Sequence, residues 1–346
     1  MIVVELDPRQ EQVLLAVVRE YIRTVQPVSS SYLVEKYGLN CSSATVRNVM
    51  ARLEELGFLS QPHTSAGRIP QDLAYRYYVD RLVESGIGTP PEAPVIRDEV
   101  VGAQDVLETL MEQASRLLTQ TTRHTSLILA PRLRRSFFRY LQLVPLGPRR
   151  LLFVLLTQTG SIVEKILELS LPVPPDLLEG MTEALNRRLR GVSLTDISQE
   201  LLGEMSPDVD EQILQELTLA ARDDSLDSGS RLVLGGTSRL LDQPEFRDVE
   251  RLRKILKVLE EEKILAEVLI KTLDTPGFRI WIGQENELAE MSGCSLLAVS
   301  YSLWGEPVGI LGLLGPTRMP YDRMLAILNC VAQSMSQRLE RMGPLA

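Results

Sequence analysis

The sequence predicts a multidomain α+β protein. The chain has 346 residues, which corresponds to two or three domains at about 150 residues per domain. A hydrophobic fraction of 44% and a charged fraction of 24% are ordinary for globular proteins, so the chain can build more than one core. Helical periodicity fills residues 1–85, and strand-like runs between a first and a last helix fill the remainder.

The sequence shows no targeting or membrane segment. No run of about 18 apolar residues is present, so we expect no membrane span. The first residues lack the basic region and long apolar stretch of a signal peptide. Cys41, Cys294 and Cys330 form no closely spaced pair and are expected to be free thiols. These features predict a cytoplasmic protein.

The sequence also lacks the motifs of several enzyme classes. It contains no phosphate-binding loop, nucleophile elbow or metalloprotease motif. The two histidines, His63 and His124, have no ligand or catalytic partner at the usual spacings. We therefore expect no catalytic residue, metal or cofactor. Gly309, Gly312 and Gly315 do not match a dinucleotide loop and are expected to allow close packing of a strand.

The N-terminal segment is predicted to form three helices. Apolar residues recur at helical spacing over about 9–25, 31–37 and 44–56. Pro27 and Gly38 separate the helices, and serines before the second and third helices provide N-caps. Two helices joined by a short turn with glycine form a helix-turn-helix motif. In that motif the second helix of the pair enters the major groove of DNA.

A net charge of −9 does not argue against DNA binding, because residues 1–82 hold nine basic and nine acidic residues and are neutral. On the third helix the apolar stripe leaves Arg47, Asn48 and Arg52 facing outward, with Thr45 at the edge. Arg can read guanine, Asn can read adenine and Thr can touch a thymine methyl group. A helix with a merely solvated polar face would show the same pattern, so the following segment decides between the two interpretations.

That segment is predicted to be a wing. Residues 58–60 look like a short strand, and residues 61–70 form a hairpin tip rich in turn residues that suits a phosphate backbone or minor groove. A fourth helix follows at about 71–83, in which Tyr77 and Tyr78 are expected to belong to the core. The predicted DNA-binding residues are Ser43, Thr45, Arg47, Asn48, Arg52, His63, Thr64, Arg68 and Arg76.

The remainder of the chain is predicted to alternate helices and strands. Residues 86–97 are rich in glycine and proline and are expected to be a linker. Helices are expected at about 98–121, 173–189, 194–222, 246–273 and 321–342. Strands are expected at 127–131, 138–146, 151–157, 161–169, 278–282, 296–303 and 308–314, and 231–234 is a short apolar run before two glycines. Arg318 could bind an anion at the last helix, but hydrogen bonds that tie the strand end to that helix are favoured.

Several strings of the sequence resemble the heat-inducible transcription repressor family HrcA. The similar strings are 27–30, 42–48, 53–59, 61–70, 75–80, 127–131, 242–246, 278–286 and 315–321. The wing string 61–70 is long and unusual, and the resemblance covers nearly all of the chain. It implies a winged helix-turn-helix domain followed by a GAF-like α+β domain that is interrupted by an inserted, mostly helical dimerisation domain.

The resemblance also implies domain limits and a function. The expected limits are 1–85 for the winged helix-turn-helix domain, 86–97 for the linker, 98–171 with 276–346 for the GAF-like domain, and 172–275 for the insertion. The family implies a homodimer that represses chaperonin and chaperone operons by binding an inverted-repeat double-stranded DNA operator, CIRCE. It also implies release on heat stress and activity aided by a GroEL-type chaperonin. The alternative is a GAF-type small-molecule sensor whose winged helix mediates protein contacts.

Overall fold

The computed structural model describes residues 5–63, 66–102, 107–131, 137–158, 162–197, 211–222, 232–273 and 277–342. Within these residues the protein is a mixture of helices and sheets, as the sequence predicts. Ten strands form one five-stranded, one three-stranded and one two-stranded sheet across the described part of the chain. None of the helices described is long and apolar enough to cross a membrane.

The N-terminal unit contains four helices and one short hairpin, close to the predicted bounds. Its elements are α1 (Pro8–Thr24), α2 (Ser30–Tyr37), α3 (Ser43–Glu55), β1 (Leu59–Ser60), β2 (Ile69–Pro70) and α4 (Asp72–Glu84). Asp7, Ser29 and Ser42 cap the first three helices with their side chains. Gly38 ends α2 with a φ of 58°, a conformation that glycine adopts without strain.

The segment predicted as a linker is partly helical, so that expectation was wrong for its second half. Helix α5 (Ala93–Val101) begins inside it, and α6 (Leu107–Thr122) follows. Pro94 lies in the first turn of α5, where the missing N–H of proline has no cost. Ala93 and Ile96 are buried in the core, so this segment is packed against the protein rather than extended in solvent.

The main sheet has five antiparallel strands. They are β3 (Thr125–Leu129), β7 (Leu232–Gly235), β8 (Phe278–Ile282), β9 (Cys294–Leu303) and β10 (Glu306–Pro316), in the order β7-β3-β10-β9-β8. Gly309 and Gly315 permit close contacts as predicted, because a Cβ atom there would lie 2.2 Å from the Tyr301 hydroxyl and from the His124 ring, respectively. One face of the sheet carries the long helix at Tyr321–Met342, and the other carries helices Val249–Glu260 and Glu262–Ile270.

A second, three-stranded sheet forms a separate unit. It contains β4 (Phe138–Gly147), β5 (Arg150–Thr157) and β6 (Ile162–Glu168), with helices α7 (Pro175–Leu189) and α8 (Glu211–Arg222) on one face. These elements share a hydrophobic core that contains no residue of the main sheet. The remaining helices belong to the main body and are labelled α9 (Val249–Glu260), α10 (Glu262–Ile270) and α11 (Tyr321–Met342).

The expected domain limits stay a prediction, and the separate core does not coincide with the expected insertion. The unit with its own core spans 138–222 rather than 172–275. Strand β7 and helices α9 and α10 lie after that unit but pack with the main sheet. Sequence periodicity predicted many of these elements, but the single helix expected at 246–273 is two helices, α9 and α10. Periodicity also carries no information about which sheet each strand joins.

One aromatic contact marks the joint between the two sheets. Trp304 and Gly305 form the tight turn between β9 and β10, both with positive φ values, of 52° and 86°. The Trp304 ring lies 4.7 Å from the Phe137 ring, centroid to centroid. Phe137 immediately precedes β4, so the hairpin of the main sheet touches the chain where the second unit begins.

Candidate nucleic-acid interface

Helix α3 presents a polar face on the surface of the N-terminal unit. The Ser42 hydroxyl accepts the backbone N–H of Thr45 at 3.2 Å and fixes the start of the helix. Val46, Met50 and Leu53 are buried, which anchors the opposite side of α3 in the core. The helix is therefore held along one side, and the other side is available to a ligand.

The predicted reading residues lie on that available side. Arg47, Asn48 and Arg52 are exposed, whereas Ser43 and Thr45 are half-buried beside the cap. Arg52 pairs with Glu55 at 2.7 Å, and Arg47 has no ion-pair partner among the described residues. Within the described part of the chain, the guanidinium of Arg47 and the carboxamide of Asn48 thus lie at adjacent positions of α3 without side-chain partners.

The hairpin after α3 is tied to the turn before α2. Val28 and Arg68 exchange two backbone hydrogen bonds of 2.9 and 2.8 Å, and the Gln61 amide donates to the Ala66 carbonyl at 2.9 Å. Gly67 is required here, because a Cβ atom would lie 2.3 Å from the carbonyl oxygen of Val28. His63 is exposed near the hairpin tip, and Thr64 lies outside the described residues.

Arg68 was predicted to face phosphate, but its guanidinium is paired within the protein. Its Nη2 atom lies 2.8 Å from Oε2 of Glu54, and only 16% of the Arg68 side chain is exposed. The pair connects the base of the hairpin to the end of α3. In this conformation Arg68 ties the hairpin to α3 instead of projecting into solvent.

The guanidinium of Arg76 is also bound within the protein. Its Nε atom donates to Glu285 at 2.8 Å and its Nη2 atom donates to the carbonyl of Ile280 at 2.5 Å. Both partners belong to the main sheet region, so Arg76 joins α4 to the body of the protein. The role of Arg76 at DNA stays a prediction, and a linear string does not show its contact with Glu285, 209 positions away.

Sequence reasoning missed a buried carboxylate that joins α1 and α2. Glu20 is 2% exposed and accepts hydrogen bonds from Arg23 at 2.5 Å, Tyr32 at 2.8 Å and Lys36 at 2.6 Å. Burial alone would raise the pKa of Glu20, but these donors outweigh it and hold the pKa at about 2. A charged residue at a core position of the α1 stripe was the available signal, since such a residue is buried only with partners.

Comparisons with known proteins identify relatives of this chain. Residues 108–325 match the model of the HrcA protein C-terminal domain. A heat-inducible transcription repressor HrcA from Symbiobacterium thermophilum is 39% identical over 96% of this chain and 98% of its own. One from Moorella thermoacetica is 38% identical over 97% and 99%, respectively. A crystal structure titled as a hypothetical protein is 25% identical, covers 98% of this chain and 99% of its own, and gives a TM-score of 0.61.

Relatives that match nearly the full length of the chain and are named as transcription repressors place it in the class of transcription regulators. Within that class the chain belongs to the HrcA family of heat-inducible transcription repressors. The predicted family is therefore confirmed. The matched relatives are named as repressors, which is a role without catalysis.

Proposed function

We propose that this protein is a cytoplasmic repressor of chaperonin and chaperone operons that binds an inverted-repeat CIRCE operator as a homodimer and leaves it on heat stress. The observation that carries the proposal is the free face of α3, where Arg47 and Asn48 are exposed on a helix whose other side is buried. The N-terminal unit is a winged helix-turn-helix domain in this proposal, with α3 as the reading helix and residues 61–68 as the wing. The five-stranded sheet with its helices is the GAF-like domain.

Recognition of the operator follows from the chemistry of that face. Arg47 can donate two hydrogen bonds to guanine, and Asn48 can make a bidentate contact with adenine. Thr45 and Ser43 lie at the capped start of α3, which enters the groove first in helix-turn-helix proteins. Arg52 and His63 are exposed and, with Thr64, are proposed to contact the phosphate backbone.

Dimerisation is proposed to use the outer face of the three-stranded sheet. Strand register places three cross-strand rows on this face, Tyr140–Leu156–Ile162, Gln142–Val154–Glu164 and Val144–Leu152–Ile166. The four apolar residues on the two outer strands are between 37% and 60% exposed. This face is apolar apart from Gln142 and Glu164, which suits an interaction site, and a two-fold axis would bury the same patch on both copies.

A GroEL-type chaperonin is proposed to keep the repressor active. A monomer that has not yet paired exposes the apolar sheet face, and such surfaces make folding intermediates prone to aggregation. The chaperonin would protect that state until the dimer forms. When heat fills the chaperonin with other clients, less active dimer would be present and the operator would be released.

An electrophoretic shift assay tests the core of the proposal. The protein should bind a CIRCE duplex at least about 1,000-fold more tightly than a scrambled duplex of equal length at the same salt concentration. Equal binding to both duplexes would reject operator recognition and would favour the alternative, a small-molecule sensor whose winged helix contacts proteins. Addition of a GroEL-type chaperonin with ATP after mild heating should raise the fraction of protein that shifts the duplex.

Substitution of Ile162→Lys together with Ile166→Lys tests the dimer. Burying four charged groups in an apolar interface is unfavourable, so the variant should elute as a monomer and bind the full operator weakly. Val249→Lys is the matched control, because Val249 is 66% exposed and lies on α9, away from the proposed interface. A dimer that survives both sheet substitutions would place the interface elsewhere.

A further inference from the structure

The N-terminal unit and the body of the protein share one core. Buried side chains of α1, α3 and α4 belong to the same hydrophobic cluster as those of α5, α6 and α11. The rings of Tyr75 on α4 and Tyr321 on α11 lie 6.1 Å apart, centroid to centroid. The unit that carries the reading helix is therefore docked on the body and is not suspended from a flexible linker.

A first polar tie holds α4 to the body. Asp72, Arg76 and Asp80 are spaced by four residues and so share one face of α4. The Asp72 carboxylate accepts the backbone N–H of Gln284 at 3.1 Å. Arg76 pairs with Glu285 and with Asp80 and also donates to the Ile280 carbonyl, and only 20% of its side chain is exposed.

The close approach at this tie depends on a glycine. Gly283 has a φ of +57°, and a Cβ atom at this position would lie 1.8 Å from the Asp72 carboxylate. A side chain at position 283 would therefore meet the first turn of α4. The absence of a side chain at Gly283 thus leaves room for Asp72 beside the turn at 283–285.

A second polar tie holds the end of α1. Arg318 donates from Nε to Glu245 at 2.5 Å and from Nη1 to the carbonyl of Ile22 at 3.2 Å. Ile22 lies in the last turn of α1, where carbonyl groups have no donor within the helix and attract a cation. Only 14% of the Arg318 side chain is exposed. Arg318 follows strand β10 of the body, and its hydrogen bond to Ile22 caps the C-terminal end of α1 in the N-terminal unit.

The two polar ties act on two different helices and, together with the shared core, hold the N-terminal unit in one orientation. We propose that Arg76 and Arg318 are positioning residues that fix the direction of α3 relative to the body and thereby set the half-site spacing that the dimer accepts. This inference rests on the proposed function, because spacing has meaning only for a dimer on an inverted repeat. Neither arginine reads a base in this role.

The physical consequence is a steep dependence of affinity on operator geometry. Two linked modules gain affinity from simultaneous binding, and that gain is lost when geometry forbids it. Inserting five base pairs between half-sites rotates one by about half a helical turn, since one turn is roughly 10 base pairs. A rigidly held reading helix cannot follow this rotation, whereas a loosened one can.

The experiment compares affinities for the natural operator, for the operator with a five-base-pair insertion and for a single half-site. The wild-type dimer should lose about 100-fold in affinity on insertion. Arg76→Gln, Arg318→Gln and Glu285→Gln should each reduce that loss to about tenfold or less, with half-site affinity unchanged within about threefold. Glu285 lies in the body, so its variant loosens the tie without altering the DNA-binding unit.

The matched control is Arg253→Gln, which removes an arginine from an exposed ion pair with Glu250 at 3.0 Å on α9. It should keep the wild-type dependence on spacing. Variants of Arg76, Arg318 and Glu285 that also keep this dependence would overturn the inference. A loss of half-site affinity in Arg76→Gln but not in Glu285→Gln would overturn it too, by making Arg76 a DNA contact. If the wild-type protein shows no preference for the natural operator, the proposed function itself is wrong.

Discussion

Helices α3 and α4 look alike in sequence and serve different purposes in the structure. Both have 13 residues, a buried apolar side and arginines on a polar side. On α3 the guanidinium of Arg47 is exposed and has no ion-pair partner among the described residues. On α4 the guanidinium of Arg76 is held by the body of the protein. An exposed-looking arginine on an amphipathic helix can therefore either be available to a ligand, like Arg47, or bind the body of the protein, like Arg76. Only long-range contacts distinguish these two roles.

The largest expected effect is a loss of stability when a side chain is added at Gly283, where the Asp72 carboxylate of α4 packs. Gly283→Ala should lower the free energy of unfolding by about 3 kcal/mol, because it adds a left-handed non-glycine residue and displaces Asp72 from Gln284. Thermal unfolding measures the loss. Gly191→Ala is the control, since Gly191 has a φ of +77° with nothing within 4 Å. Equal losses in both variants would mean that the contact with Asp72 contributes nothing.

The next effect concerns the support of α3 by the preceding helices. The pKa of Glu20 is lowered from 4.5 to about 2, so its stabilising effect is present above pH 4.5 and is lost as the pH falls toward 2. With screening by its partly exposed partners, we expect about 2 kcal/mol. Glu20→Gln should remove that pH dependence, as followed by urea unfolding at pH 3 to 7. An unaltered profile would assign the acid sensitivity to other carboxylates.

A smaller effect on stability and a selective effect on binding are expected on the reading face. Arg47→Ala and Asn48→Ala should each cost about 1.5 kcal/mol of discrimination between the operator and a duplex mutated at the contacted base. The melting temperature should stay within about 1 °C, because exposed substitutions change stability little. Competition assays measure the discrimination. If Arg76→Ala lost the same discrimination, the distinction between α3 and α4 would fail.

The smallest effect is expected at the hairpin. Arg68 is paired with Glu54, so Glu54→Gln should release it toward phosphate and steepen the salt dependence of DNA binding by up to about one unit. Arg68→Ala should flatten the salt dependence by about one unit only if Arg68 exchanges Glu54 for a phosphate in the complex. Affinity against salt concentration, measured on operator and scrambled duplexes, separates these outcomes.

Local signals in the sequence predicted much of this fold. The last helix was expected at 321–342 and is found at Tyr321–Met342, because its apolar period is long and uninterrupted. The cap of α3 at Ser42 was also correct. In contrast, Arg76 and Glu285 lie 209 positions apart, and no local pattern shows that they meet. The expected start of an insertion at 172 does not coincide with the start of the separate core at Phe138 for the same reason, since strand partnership is a long-range property.

The sequence predicts which residue types form the candidate site, but it predicts only part of their exposure and contacts. Arg47 and Asn48 follow from the helical period of α3 alone, so their exposure could be derived from the sequence. The partners of Arg68 and Glu20 depend on how a hairpin and two helices fold back, which periodicity does not encode. The segment at 93–97 was misjudged because proline suggests a linker, although proline is also favoured in the first turn of a helix.

The turn at Trp304 gives the molecule a built-in optical probe. The indole is 44% exposed and touches Phe137 where the chain enters the three-stranded sheet, so any tilt of that sheet would change its surroundings. The sequence has two tryptophans, and replacement of Trp281 by phenylalanine would leave the emission of Trp304 alone. Intrinsic fluorescence could then follow the joint between the two sheets during heating without any attached dye.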